Sequence, residues 1–260
     1  MNQSNKNLLQ IIHKKQTVIC LSLDVDTWSE ARGILSACAP YICMVKVHCD
    51  LFADWSQSCV TELFDMAQEY EFLIMQDSKF SDVPKIVYKQ LTNPPFQIAR
   101  WADYVTIQPL NYLDVYEYLE GQVGNCTDFT IALVCVAEMN TQNSFSKNQE
   151  YLAMVHDFVI HNRKQIPAIV SQALFATCDL GKPTECLRMT PGVCIEQSES
   201  GARYRTIEDA ICRDGNHVVI IGESLINKHK KLITEPIEHA KYMQDLARHS
   251  YSCFASAHGL

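Results

Sequence analysis

Short runs of β-branched and large apolar residues recur eight times along this chain, with stretches of helical periodicity between most of them. That alternation constrains the fold more than any other feature of the sequence. The runs fall at 17–24, 41–48, 72–75, 104–107, 129–136, 166–170, 186–189 and 217–221. Helical patterns cover 27–38, 54–70, 81–91, 112–119, 147–161 and 235–252, and Thr27 with Glu30 has the spacing of a capping box. Strands alternating with helices require a parallel sheet with helical crossovers. Eight repeats in 260 residues favour a closed (β/α)8 TIM barrel over an open doubly wound sheet. No Gly-x-Gly-x-x-Gly follows the first run to support a dinucleotide fold. With no linker and no low-complexity tract, residues 1–260 read as a single α/β domain. A short helical extension at about 1–16 has Leu8, Leu9, Ile11 and Ile12 on its apolar side.

Composition narrows the function classes. The net charge of −8 argues against nucleic acid or an anionic membrane surface as the main partner. No apolar run approaches eighteen residues, so no membrane span is expected. The first sixteen residues lack the apolar core and cleavage site of a signal peptide. Twelve cysteines are many, yet no two have C-x-x-C spacing, and Cys20, Cys43 and Cys135 sit inside apolar runs. They read as reduced core thiols of a cytoplasmic protein. His156, His161 and the other scattered histidines read as surface or core residues.

In a barrel the active site lies at the C-terminal ends of the strands. The first three runs each end in a polar pair at i and i+2: Ser22 with Asp24, Lys46 with His48, and Asp77 with Lys79. Alternation along a strand turns both members of a pair to one face, and consecutive strands are neighbours, so the six side chains should share one side of the mouth. Asp82 follows on the next loop. Alternating Asp and Lys charges in a poorly solvated mouth hold one another ionised.

These residues carry a resemblance. LSLDVD, MVKVHCD and LIMQDSKFSDV resemble the matching segments of orotidine 5'-phosphate decarboxylases, with the D-x-K-x-x-D signature intact as Asp77, Lys79 and Asp82. IARWADYV, VAEM, MTPGV, YRT and VVIIGESLI continue the likeness in order. The resemblance implies decarboxylation of orotidylate to uridylate in pyrimidine biosynthesis, by a (β/α)8 homodimer that uses neither cofactor nor metal. Lys79 would protonate C6 of the pyrimidine, Asp77 would sit near the substrate carboxylate, and Lys46 would organise the charges. Asp82 would be donated across the dimer interface. Ser22, Asp24, His48, Asn140, Pro191, Tyr204 and Gly222 would contact the nucleotide.

The departures fall on the ligand shell. Ala202 stands where the family has a glutamine that reaches phosphate and base, and Glu223 where it has a phosphate-clamping arginine. Asn140 replaces a serine, and Ile86 a threonine expected at the ribose. Arg203 and Arg205 are the cations nearest in sequence that could substitute. A catalytically impaired or repurposed homologue, acting as a binding or interaction protein, is the alternative these departures raise.

Overall fold

The computed structural model describes residues 3–122, 131–141, 143–172, 185–195, 205–232 and 234–259. Eight parallel strands close into a barrel in the order β1 to β8. They are β1 (Ile19–Leu23), β2 (Met44–Val47), β3 (Leu73–Phe80), β4 (Tyr104–Ile107), β5 (Ala132–Val136), β6 (Ala168–Val170), β7 (Leu187–Thr190) and β8 (Val218–Ile221). Every strand position outside β3 and β7 is buried, as expected where a barrel interior lies on one face and helices cover the other.

The helices are α1 (Gln3–Lys15), α2 (Trp28–Cys38), α3 (Gln57–Tyr70), α4 (Pro84–Thr92), α5 (Tyr112–Glu120), α6 (Gln149–His161), α7 (Glu223–Leu232) and α8 (Pro236–His258). A π-helical turn, Asp209–Arg213, stands between β7 and β8. The barrel and the alternation match the sequence reading, with three adjustments. The third strand, read as ending with Asp77 and Lys79, starts at Leu73 and carries a bulge before its last residue, Phe80. The helix α7 was not expected. Thr27 Oγ1 caps α2 by accepting from Glu30 N at 3.2 Å, but the Glu30 carboxylate turns away from the cap to Lys230 of α7, at 2.8 Å.

The extension at the N-terminus forms α1, whose buried face is Asn5, Leu8 and Ile12. Its polar contacts reach the N-terminal ends of the strands. Asn5 Nδ2 donates to the Pro167 carbonyl just before β6, and Tyr104 Oη of β4 donates to Asn5 Oδ1. Lys15 Nζ donates to the carbonyls of Ala39 and Tyr70, ahead of β2 and β3. Thus α1 lies across the floor of the barrel and leaves the opposite end open.

The ten cysteines among the described residues are all free, eight of them buried. Burial pushes the Cys43 and Cys186 thiols up to about 12, so these groups stay protonated and pack as small hydrophobes. No described helix is long and apolar enough to cross a membrane.

Candidate active site

Strand register sets the site. Ser22 pairs with Lys46 and Lys46 with Met75, so the ends of β1 and β2 are level with Gln76 of β3, next to Asp77. Beyond Gln76 the register between β3 and β4 shifts, so that Phe80 pairs with Ile107. Lys79 sits in this bulge with φ 49°, in the left-handed region, and its N–H donates to Thr106 Oγ1 at 2.8 Å. A lysine rarely adopts that backbone, which costs about 1–2 kcal/mol. Side-chain direction still alternates across the bulge. Gln76 bonds Ser78 Oγ and the Cys49 N–H, whereas Asp77 and Lys79 face the mouth.

Each predicted i, i+2 pair is in contact. Ser22 Oγ donates to Asp24 Oδ2 at 2.7 Å, Lys46 Nζ lies 2.9 Å from His48 Nε2, and Lys79 Nζ lies 2.8 Å from Asp77 Oδ2. The pairs join through Lys46, whose ammonium is 3.1 Å from Asp24 Oδ1 and 3.0 Å from Asp77 Oδ2. His48 Nε2 lies 3.3 Å from the same Asp77 oxygen. Two ammonium groups and an imidazole therefore converge on one oxygen of Asp77. Its other oxygen accepts from Thr106 Oγ1 at 2.8 Å.

These contacts decide the protonation states. Burial pushes the Asp77 carboxyl up, but the hydrogen bond with His48 and the charges of Lys46 and Lys79 outweigh it and hold the group far below the usual carboxylate range. Burial likewise opposes the charge of Lys46, and Asp77 and Asp24 overcome it, so the ammonium is held more firmly than usual. For Asp24, burial is outweighed by Lys46, Ser22 and His48, and its carboxyl is lowered. Asp24, Lys46 and Asp77 thus hold one another ionised.

This row lines a cavity of about 490 Å³ at the open end of the barrel, together with Asn140, Pro191, Gly192, Gly222 and Glu223. The loop after β7 is fixed by glycine and arginine. Gly192 has φ 72°, and a Cβ there would come within 2.7 Å of Asn140 Nδ2, so the loop lies against the Asn140 amide only because it carries no side chain. Arg205 donates to Thr190 Oγ1, to the Pro191 carbonyl at 3.0 Å and to Asp214 Oδ2 at 2.7 Å. Its guanidinium is thereby committed to holding Thr190 and Pro191 in place, which removes Arg205 as the substitute phosphate ligand. Arg203, Ala202 and Tyr204 lie outside the described residues.

At the end of β8, Gly222 packs against Ser22 and Asp24. A Cβ would stand 3.2 Å from Ser22 Cβ and 3.4 Å from Asp24 Oδ2. Gly222 O accepts from the N–H groups of Leu225 and Ile226, opening α7. Glu223 is therefore the first residue of a helix that starts at the cavity wall, where a carboxylate suits the positive helix end.

Asp82 stands apart. It is exposed, its Oδ1 accepts from Val83 N at 2.7 Å, and it borders a second cavity with Pro94 and Pro95 rather than the mouth of its own barrel. Two residues were missed from the sequence. Thr106 holds Asp77 and the Lys79 N–H at once, and a threonine inside the buried run YVTI is its one sequence signal. Glu138 is buried beside the cavity, accepting from Lys147 Nζ at 2.7 Å and Gln172 N at 3.0 Å. It ties the loop after β5 to that after β6. Its place in VAEM belongs to the resemblance, but nothing local marks it as buried.

Residues 17–232 match the family described as orotidine 5'-phosphate decarboxylase / HUMPS. A Candida glabrata protein named orotidine 5'-phosphate decarboxylase is 31% identical over 231 residues, covering 88% of this chain and 86% of its own. One of the same name from Candida parapsilosis is 28% identical, covering 88% and 85%. The crystal structure of an orotidine 5'-monophosphate decarboxylase from Methanocaldococcus jannaschii, complexed with the inhibitor BMP, superposes with a TM-score of 0.64 at 17% identity, over 89% of this chain and 98% of that one. With a match across most of its length, and with an Asp–Lys–Asp–Lys row assembled at the barrel mouth, the chain belongs to the orotidine 5'-phosphate decarboxylase / HUMPS family.

Proposed function

We propose that this protein is a carboxy-lyase that converts orotidine 5'-phosphate to uridine 5'-phosphate in pyrimidine biosynthesis. The observation that carries the reading is the convergence of Lys46, Lys79 and His48 on one buried oxygen of Asp77. As the bond from C6 to the carboxylate breaks, its electron pair stays on C6 and carbon dioxide leaves. The Lys79 ammonium, held in place before the reaction, stabilises that carbanion and then delivers its proton to C6. Asp77 sits where the substrate carboxylate would come, so its charge opposes the ground state and is relieved as carbon dioxide departs. Lys46 keeps Asp24 and Asp77 ionised and positions Lys79 through Asp77. Asp24, with Ser22 and His48, is placed for ribose hydroxyls. Asn140, with an amide donor and acceptor, suits an imide edge, and Pro191 and Gly222 line the same cavity; a contact from Tyr204 is implied by the resemblance alone.

We further assign residues 1–260 to one barrel domain working as a cytoplasmic homodimer. The exposed position of Asp82, outside the mouth of its own barrel, supports its donation to a second copy. The chain's own charges do the chemistry in this scheme, without a cofactor or metal at the mouth.

The test is loss of orotidylate absorbance in the ultraviolet. Activity that disappears in Lys79→Ala, in a protein that still folds, is the expected result. No activity in the unmodified chain at millimolar substrate would overturn it. A second reading, an impaired or repurposed homologue that binds without turnover, is favoured by one observation. Glu223 opens α7 at the cavity wall while Arg205 is committed elsewhere, so the described residues offer no guanidinium for the phosphate there. Binding of uridylate without decarboxylation would select that reading.

A further inference from the structure

Away from the mouth, three helices bring together side chains that are far apart in sequence. Cys38 is the last residue of α2, His229 lies in the last turn of α7, and His239 in the first turn of α8. All three are buried, and one ligand atom from each lies within 4.8 Å of the others. His229 Nδ1 and His239 Nε2 are 3.2 Å apart, with the rings nearly perpendicular at 86°.

We propose that Cys38, His229 and His239 form a zinc-binding site, with a fourth position open to water. A zinc ion bound to two imidazoles at about 2.0–2.1 Å in tetrahedral geometry sets its two nitrogens about 3.3 Å apart, close to the separation found here. One thiolate and two imidazoles are a donor set that suits zinc and disfavours calcium or magnesium. On binding, Cys38 loses its proton to solvent, and the proton shared between His229 Nδ1 and His239 Nε2 moves to the other nitrogen of its own ring, which frees both lone pairs for the ion. The ion would tie α7 to α2 and α8, where the described polar tie between α2 and α7 is the half-exposed pair Glu30–Lys230. His229 lies six residues along the helix from Glu223 at the cavity wall, so the clamp would steady the helix that borders the nucleotide.

The alternative is a hydrogen-bonded histidine pair beside a core thiol, with no ion. Cobalt(II) titration of the full-length chain, stripped with chelator and reduced, separates the two. The expected result is one equivalent bound, with a thiolate-to-cobalt absorption band in the near ultraviolet that zinc then bleaches. Cys38→Ser should abolish the band. His239→Gln should weaken zinc at least 100-fold in competition with a chromophoric chelator. His156→Gln, on α6 and outside the cluster, should leave both unchanged. Zinc should raise the melting temperature of the unmodified protein and not that of either cluster variant. A wild-type chain that shows no thiolate band overturns the proposal whatever the variants do. So does a band that survives Cys38→Ser, since another of the twelve cysteines would then be the ligand.

Discussion

At the residue scale, the backbone of Lys79 carries a cost that its side chain justifies. Glycine tolerates a φ of 49° without the penalty a lysine meets. Lys79→Gly should therefore remove decarboxylation while lowering stability less than Lys79→Ala, by about 1 kcal/mol in urea denaturation. Equal stability of the two variants would show that the bulge is not strained. Lys46 is the opposite case, a buried ammonium shared by two carboxylates. Lys46→Met should destabilise by about 2–3 kcal/mol, because Asp77 keeps Lys79 but Asp24 loses its ammonium partner. Glu223 is a question of affinity. A charge-assisted bond to phosphate is worth about 1.5–3 kcal/mol, so Glu223→Arg should raise kcat/KM for orotidylate about 10- to 100-fold. An unchanged value would mean that the phosphate meets the protein elsewhere.

At the scale of elements, the sequence was legible where periodicity and chemistry agree. All eight strands were found because β-branched runs stand between polar turns, and the three i, i+2 pairs assembled the row at the mouth because a strand's period is two. The helix α7 was missed because ESLINKHKKL holds only three apolar residues, Leu225, Ile226 and Leu232, and begins with Glu223, a residue read as a departure from the family. The bulge in β3 was hidden, since it depends on the left-handed Lys79 and on Thr106 from the neighbouring strand. The grouping of Cys38 with His229 and His239 leaves no local spacing at all. One joint between elements has a pH signature. Asp103, ahead of β4, accepts from Ile74 N of β3 at 2.8 Å, and burial pushes its carboxyl up to about 6. Its folded value exceeds the unfolded one, so it contributes stability that is full below about pH 4 and lost as pH rises through 6. Asp103→Asn should flatten that decline, with the difference between the two proteins changing by about 2 kcal/mol from pH 4 to pH 7. Parallel pH profiles would show that the burial is relieved in solution.

At the scale of the whole molecule, two copies matter for activity. Under the proposed dimer, Lys79→Ala and Asp82→Ala protomers are each inactive alone. Each mixed dimer has one complete site, the Lys79 of one protomer facing the Asp82 of its partner. Mixing the two inactive proteins under conditions of subunit exchange should restore about a quarter of wild-type activity. No recovery would confine Asp82 to a structural role. The closure of the barrel has a consequence for how the protein is made. Ile19 of β1 pairs with Val219 of β8, partners two hundred positions apart. A nascent chain therefore carries β1 as an open sheet edge through most of its synthesis, and each new strand moves the other edge along without sealing it. Contacts so distant in sequence form slowly. The protein thus spends its most aggregation-prone interval on the ribosome, with Cys20 and Cys43, later buried and inert, open to oxidants. A need to shield that edge during synthesis follows from the one joint that β8 completes last.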